Sequence, residues 1–142
     1  MLKGIVARAQ ITVDAPISEV WNALISPDMI KKYMFGTDTV SDWTQGSHIT
    51  WSGEWKGQKY EDKGKILKIE NERLLQYTHF SALSGQLDTP ENHHTVTIEL
   101  SEKEGKTELM LTQDNCATEE VKKHSEENWK SMLESMKILL EE

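Results

Sequence analysis

The final stretch of the chain, TEEVKKHSEENWKSMLESMKILLEE (residues 118–142), decides the fold. Its apolar residues recur at the spacing of one side of a helix: Val121, Trp129, Met132, Leu133, Met136, Leu139 and Leu140. Thr118 is suited to the N-cap, and Glu119 and Glu120 would then lie at the positive end of the helix dipole. We therefore predict one helix from Glu119 to Glu142, whose apolar side must pack on a sheet built from the preceding residues.

Most of the chain before this helix follows the two-residue period of β-strands. The predicted strands cover residues 5–13, 39–43, 47–55, 58–69, 74–80, 94–100 and 107–113, with a polar loop at 81–92. Lys56-Gly57 and Glu104-Gly105 are typical of tight turns and predict hairpins. Gly64, in the middle of a strand, predicts a bend or bulge there.

Two short helices are predicted between the first two strands. Pro16 suits the first turn of a helix, with Trp21 on its apolar face. Ser26 as N-cap and Pro27 at the first position begin a second helix that runs to about residue 32. This order predicts an α+β domain: a curved antiparallel sheet of about six to seven strands, two short helices and a long C-terminal helix.

Composition and charge limit the classes of function. At 142 residues with a formal charge of −8, the chain is expected to form one domain over 1–142. Its Lys pairs are interspersed with acids, so we expect neither a nucleic-acid partner nor an anionic membrane surface. We expect no secretory signal and no membrane span. The single cysteine, Cys116, cannot form an internal disulfide, which favours a cytoplasmic location.

The sequence contains no complete catalytic, cofactor or metal motif. His93 and His94 are adjacent, and neighbours in a strand point to opposite faces, so we predict no metal site there. Cys116 lacks further ligands at a useful spacing and is expected to be a small, partly buried residue before the helix. Neither a glycine-rich phosphate loop nor a nucleophile elbow is present, so no cofactor and no catalytic residue is predicted.

Several short motifs resemble a known superfamily. The opening ITVDAP (residues 11–16), followed by Val20-Trp21, resembles the start of the START-related superfamily that includes the birch-pollen allergens, known as the helix-grip fold or SRPBCC. Within it the chain looks like the branch named for the activator of heat-shock-protein-90 ATPase, through Gly64-Lys65-Ile66, Glu72-Arg73-Leu74, Tyr77, Gly105-Lys106-Thr107-Glu108-Leu109 and Trp129. Many members have glycines where this chain has Asn128 and Gln45.

This resemblance implies a cavity between the sheet and the long helix. The cavity holds apolar small molecules in some members, whereas others are cyclases or co-chaperone modules, so the fold implies no single activity. We predict ligand contacts from rings and methionines on the strands and the last helix: Trp51, Tyr60, Tyr77, His79, Trp129, Met132 and Met136. For any one of these side chains, plain core packing is the alternative.

The polar candidates depend on strand orientation. Tyr77 and His79 share one face of their strand, but the sequence leaves open which face of this strand is inward. His79 is the candidate for a functional polar group, and Asp62 or Glu54 would be its partner only if strand pairing brings them close. A satisfied structural histidine is the alternative.

We therefore expect non-catalytic binding of a small, mostly apolar molecule in the implied cavity. A cyclase-like or hydrolase-like enzyme using the same cavity is an alternative, and it would need a titratable pair there. An interaction module with a chaperone or another protein partner, with a role in the stress response, is the third possibility that the resemblance implies.

Overall fold

The computed structural model describes residues 3–81 and 86–141. Its strands are β1 (Ile5–Val13), β2 (Asp38–Ser41), β3 (His48–Trp55), β4 (Gln58–Glu70), β5 (Leu74–Ser81), β6 (His94–Lys103) and β7 (Lys106–Cys116). Its helices are α1 (Ile17–Ile25), α2 (Pro27–Tyr33) and α3 (Glu119–Glu141), with a short 3₁₀ turn at Pro90–Asn92. Residues 82–85 of the predicted loop, with Gly85, and Glu142 of the predicted helix lie outside the described residues.

Within the described part of the chain the strands form one curved, seven-stranded antiparallel sheet in the order β1-β7-β6-β5-β4-β3-β2. The two predicted hairpins are confirmed. Lys56-Gly57 and Glu104-Gly105 connect consecutive paired strands, and all four residues have positive φ angles, between 50° and 80°. That conformation matches the right-handed twist of the strands they join. The predicted α+β helix-grip architecture is therefore confirmed.

The predicted starts of α2 and α3 are also observed, whereas Pro16 precedes α1 instead of lying in its first turn. The Thr118 hydroxyl accepts the backbone N–H of Val121 at 3.1 Å, as an N-cap should. The Ser26 hydroxyl accepts the N–H of Met29 at 3.5 Å, with Pro27 in the first turn of α2. These caps satisfy backbone donors that have no partner inside the helix, which fixes where each helix begins.

The apolar side of α3 is shorter than its sequence pattern predicts. The buried residues of α3 are Met132, Leu133 and Met136, and the last two are 0% exposed. Val121, predicted on the packed side, is instead 41% exposed. No residue of the first three turns of α3 is buried, so periodicity alone overstates how much of this helix contacts the core.

Gly64 is required by close packing rather than by a bulge at its own position. The register irregularity between β4 and β5 lies between Ile66 and Lys68, two to four residues away. A Cβ atom on Gly64 would lie 1.7 Å from the backbone oxygen of Thr78 on β5. The two strands approach so closely here that only glycine fits. The Lys65 N–H correspondingly donates to the Thr78 hydroxyl, at 3.0 Å.

Helix α3 covers the outer edge of β1. The Glu126 carboxylate accepts the N–H of Arg8 at 2.8 Å, and the Glu141 carboxylate accepts the N–H of Asp14 at 2.7 Å. Lys137 donates to the carbonyl oxygen of Thr12 at 2.9 Å. These side chains occupy backbone groups that a further strand would otherwise use. They also hold α3 against the sheet along most of its length.

Candidate ligand-binding site

Two adjoining cavities lie between the sheet and the helices. The first, which we call the sheet chamber, has a volume of about 280 Å³ and is lined by Met34, Thr37, Trp51, Tyr60, Asp62, Tyr77, His79, His94, Gln113 and Trp129. The second, the helix chamber, has about 270 Å³ and is lined by Met34, Phe35, Thr37, Gln113, Ser125, Asn128, Trp129 and Met132. Four lining residues are common to both, so the chambers meet at Trp129.

The neighbouring space is packed rather than open. A third cavity, among Leu24, Ile30, Ile49 and Ile98, holds only about 20 Å³. Met136 is 0% exposed in the packed core and is not among the residues that line either chamber. The two chambers therefore lie around Trp129 and do not reach Met136 further along α3.

The structure brings most of the predicted site residues together. Five of them line the sheet chamber: Trp51, Tyr60, Tyr77, His79 and Trp129. Met132 lines the helix chamber, whereas Met136 lines neither. The structure also shows which face of β5 is inward: Leu75 and Tyr77 are buried in the core, and His79 lies on the same face.

His79 has a charged partner in the sheet chamber. Its Nε2 lies 2.9 Å from the Oδ2 of Asp62 on the neighbouring strand β4, and the two side chains are 29% and 19% exposed. Of the two partners considered from the sequence, Asp62 is therefore the observed one. Glu54 is exposed and pairs across β3 and β4 with Lys59. Because a carboxylate only accepts, Nε2 carries the proton and Nδ1 of neutral His79 keeps its lone pair.

His94 is held through its other ring nitrogen. Its Nδ1 lies 2.9 Å from the backbone oxygen of Asp114, and a carbonyl oxygen only accepts, so Nε2 of neutral His94 keeps its lone pair. Aromatic rings connect the two histidines to the rest of the wall. The ring centroids of Trp51 and Tyr77 are 5.1 Å apart, those of Trp51 and His79 are 5.2 Å apart, and those of His79 and His94 are 6.3 Å apart.

Tyr77 supplies a hydroxyl at this wall. The residue is only 7% exposed, and no hydrogen bond within the described residues engages its hydroxyl. Burial raises the pKa of Tyr77 well above its ordinary value, so the hydroxyl stays neutral. Tyr60 differs because its hydroxyl lies 2.6 Å from that of Thr37. Thr37 donates to the Met34 carbonyl, so Tyr60 is the donor in that pair.

Trp129 forms the partition between the chambers. Its indole N–H donates to the Gln113 side-chain oxygen at 2.6 Å, and the residue is half-buried. Gln113 and His94 were not among the predicted ligand contacts, yet each lies on the inward face of its strand, as Leu111 and Val96 respectively do. The sequence signal that could have identified them is a polar residue at a strand position expected to be buried. Met34 and Thr37 come from the region between α2 and β2, where no periodic signal exists.

The arrangement suits binding more than metal chemistry. Within residues 3–81 and 86–141, no group of three or more His, Cys, Asp or Glu side chains could hold a metal ion. Cys116 is buried, and burial raises its pKa, which disfavours the reactive thiolate. What the sheet chamber offers is a ring-lined wall with a few polar groups, the usual composition of a small-molecule site.

The fold and the chambers together define the class of protein: a helix-grip domain with a partly open, partly polar cavity between its sheet and its long helix. Residues 14–141 match the family model described as activator of Hsp90 ATPase homolog 1-like protein. The chain belongs to this family, which confirms the resemblance inferred from its motifs. In the part of the chain that the structure describes, no helix has the length and apolar character needed to cross a membrane.

Solved structures extend the comparison. The solution structure of ChR145 from Cytophaga hutchinsonii is 52% identical, with a TM-score of 0.86 over 99% of this chain and 96% of that chain. The Aha1 dimer from Colwellia psychrerythraea is 20% identical, with a TM-score of 0.75 over 96% of each chain. CalU16 from Micromonospora echinospora is 20% identical, with a TM-score of 0.73 over 99% of this chain and 86% of that chain. The last two similarities concern the fold alone. No curated protein matches the sequence.

Proposed function

We propose that this protein binds a small, mostly apolar molecule in the sheet chamber, with the helix chamber as an extension of the same site. The walls provide the area: Trp51, Tyr77 and Trp129 present rings to one volume of about 280 Å³. Together the two chambers fall within the range of about 300–1,000 Å³ that is typical of ligand sites. The His79–Asp62 pair and Tyr77 provide polar groups that would orient the ligand.

One observation carries this proposal. The core beside the chamber is closed to about 20 Å³, whereas the sheet chamber keeps about 280 Å³ next to it. Protein interiors normally pack to the density of organic crystals, and this partly open groove departs from that packing. A groove of this kind, lined with polar groups as well as rings, is typical of a binding site.

A thermal-shift screen with neutral aromatic compounds tests the proposal. A ligand that binds only the folded state stabilises it by about 2.7 kcal/mol at a hundredfold excess over Kd. His79→Trp should fill the sheet chamber and abolish the shift. Gln76→Trp, on the same strand but the opposite face, should keep it. The proposal fails if a broad screen finds no stabiliser, or if His79→Trp, folded by circular dichroism, still responds.

An enzyme using the same chamber is the second candidate, and the His79–Asp62 pair favours it. A carboxylate that orients a histidine and stabilises its protonated form is a common arrangement for general acid–base catalysis. The observed Nε2–Oδ2 distance of 2.9 Å meets the geometric requirement for such a pair. Recovery of a chemically altered ligand after incubation with the wild type, but not with His79→Gln, would support catalysis over simple binding.

An interaction with a chaperone is supported by family membership alone. Purified protein should then change the ATPase rate of a heat-shock-protein-90 chaperone, and an unchanged rate would remove this alternative. The cytoplasmic location and the role in the stress response stay predictions.

A further inference from the structure

The charges around the chambers indicate what kind of ligand they accept. With both histidines neutral, Asp62 carries the only formal charge among the described lining residues of both chambers, and neither Lys nor Arg is present. The whole chain carries a formal charge of −8, which adds to the negative potential around the site. A carboxylate or phosphate ligand would therefore meet Asp62 without a balancing cation.

We propose that the ligand of the sheet chamber is a protonated amine attached to an apolar, ring-sized body. This inference rests on the proposed function and names the chemical class of its ligand. The ammonium group would lie beside Asp62, and the apolar body would pack between Trp51 and Trp129.

The chamber keeps several free hydrogen-bond acceptors, beside the Tyr77 O–H and the Gln113 side-chain NH2, which can donate. Asp62 uses Oδ2 for His79, which leaves Oδ1 for a second donor. Neutral His79 and His94 each keep one ring nitrogen with a lone pair, because their other nitrogens donate to Asp62 and to the Asp114 carbonyl. The Tyr77 oxygen is a further acceptor. An ammonium supplies the donors that these acceptors lack, whereas a carboxylate supplies none.

The rings reinforce this preference. Trp51 lies with its ring centroid 5.1 Å from that of Tyr77, and Tyr60 and Trp129 line the same volume. The face of an aromatic ring carries partial negative charge and attracts a cation, most strongly for tryptophan. A carboxylate surrounded by tryptophan and tyrosine rings attracts a cation through both effects.

Protonation of the histidines would oppose binding. The titratable groups that face the chamber are Tyr60 and Asp62 from β4, Tyr77 and His79 from β5, and His94 from β6. The lining residues from β3, β7, α3 and the region around α2 are uncharged. A positive charge on His79 would balance Asp62 and repel the ammonium, so the proposed mode of binding needs a neutral His79.

The test uses three ligands with one naphthalene body: naphthylmethylamine, naphthylmethanol and naphthoate. Isothermal titration calorimetry with the wild type should give at least about tenfold tighter binding for the amine than for the alcohol, and the weakest binding for naphthoate. Asp62→Asn removes the charge and keeps the shape, so it should reduce amine affinity by about tenfold and alcohol affinity by much less. Glu61→Gln, the exposed neighbour of Asp62, is the charge-matched control and should change neither.

The outcomes separate this inference from the proposed function. If the alcohol binds as tightly as the amine, or if Asp62→Asn leaves amine affinity unchanged, the ammonium inference is overturned while the chamber still binds ligands. If naphthoate binds best, the inference is overturned in favour of anions. Absence of binding by all three compounds would count against both. Alcohol binding by Asp62→Asn also verifies that this variant keeps its cavity.

Discussion

Replacing Gly64 by alanine should damage both the fold and the site. The added Cβ would lie 1.7 Å from the Thr78 oxygen and 2.7 Å from its carbonyl carbon, whereas ordinary contacts begin at 3.4 Å. Both atoms belong to the backbone of β5, so no side-chain rotation can relieve the overlap. The two strands must move apart, which disrupts their pairing beside Asp62 and His79. We expect a cost of about 3 kcal/mol or more, at the upper end of single substitutions.

Urea titration followed by tryptophan fluorescence measures this cost, with Gly57→Ala as the control. Gly57 has a φ of +80°, but a Cβ added there would have no atom within 4 Å, so its substitution adds only backbone strain. That strain should cost roughly 1 kcal/mol. If Gly64→Ala costs no more than Gly57→Ala, the close approach of β4 to β5 does not exist in solution. The explanation for this glycine would then be wrong.

Four further outcomes are expected. Trp129→Ala should cost only roughly 1–2.5 kcal/mol in urea titration, because its ring borders two chambers and is half-buried. Leu133→Ala on the same helix, from a fully packed position, should cost about 3–5 kcal/mol; equal costs would contradict the open chambers. Hydrogen bonds from Lys137 and from the backbone N–H of Asp14 lower the pKa of Glu141, so the ionised form of Glu141 stabilises the fold. Glu141→Gln should therefore lower Tm at neutral pH, and the difference from wild type should vanish as the pH falls through that lowered pKa. Truncation after Asn115 should leave a chain that aggregates and lacks a cooperative transition, since the sheet loses its cover.

The fold was largely predictable because its signals are local. Alternation of apolar residues marks the strands, and the positive-φ dipeptides Lys56-Gly57 and Glu104-Gly105 mark the hairpins. Local signals are less informative about lengths. Strand β7 continues to Cys116, beyond the predicted residue 113, because the N-terminal segment adds to it: Asn115 N–H donates to the Lys3 carbonyl at 2.7 Å. That contact joins residues far apart in sequence, so no pattern within β7 could reveal it.

The site was only partly predictable because the volume of a cavity depends on how side chains from several elements pack around it. Trp51 could be identified from residue type and parity, and Tyr77 from residue type alone, but Met132 and Met136 could not be told apart. One lines a chamber and the other is 0% exposed, although both lie on the apolar side of α3. The two methionines differ because different side chains pack around each of them, and the apolar periodicity of α3 carries no information about those neighbours. The Asp62–His79 pairing likewise required the register between β4 and β5.

The side chains through which α3 occupies the edge of β1 also limit self-association. An unpaired strand edge can recruit the edge of another molecule and begin fibril growth. Here Glu126, Lys137 and Glu141 take the places of a neighbouring strand, and the opposite edge, β2, is only four residues long. Fraying at the C-terminal end of α3 would expose the backbone of β1 before any strand unfolds. Substitutions that weaken this end of the helix should therefore promote aggregation out of proportion to their effect on global stability.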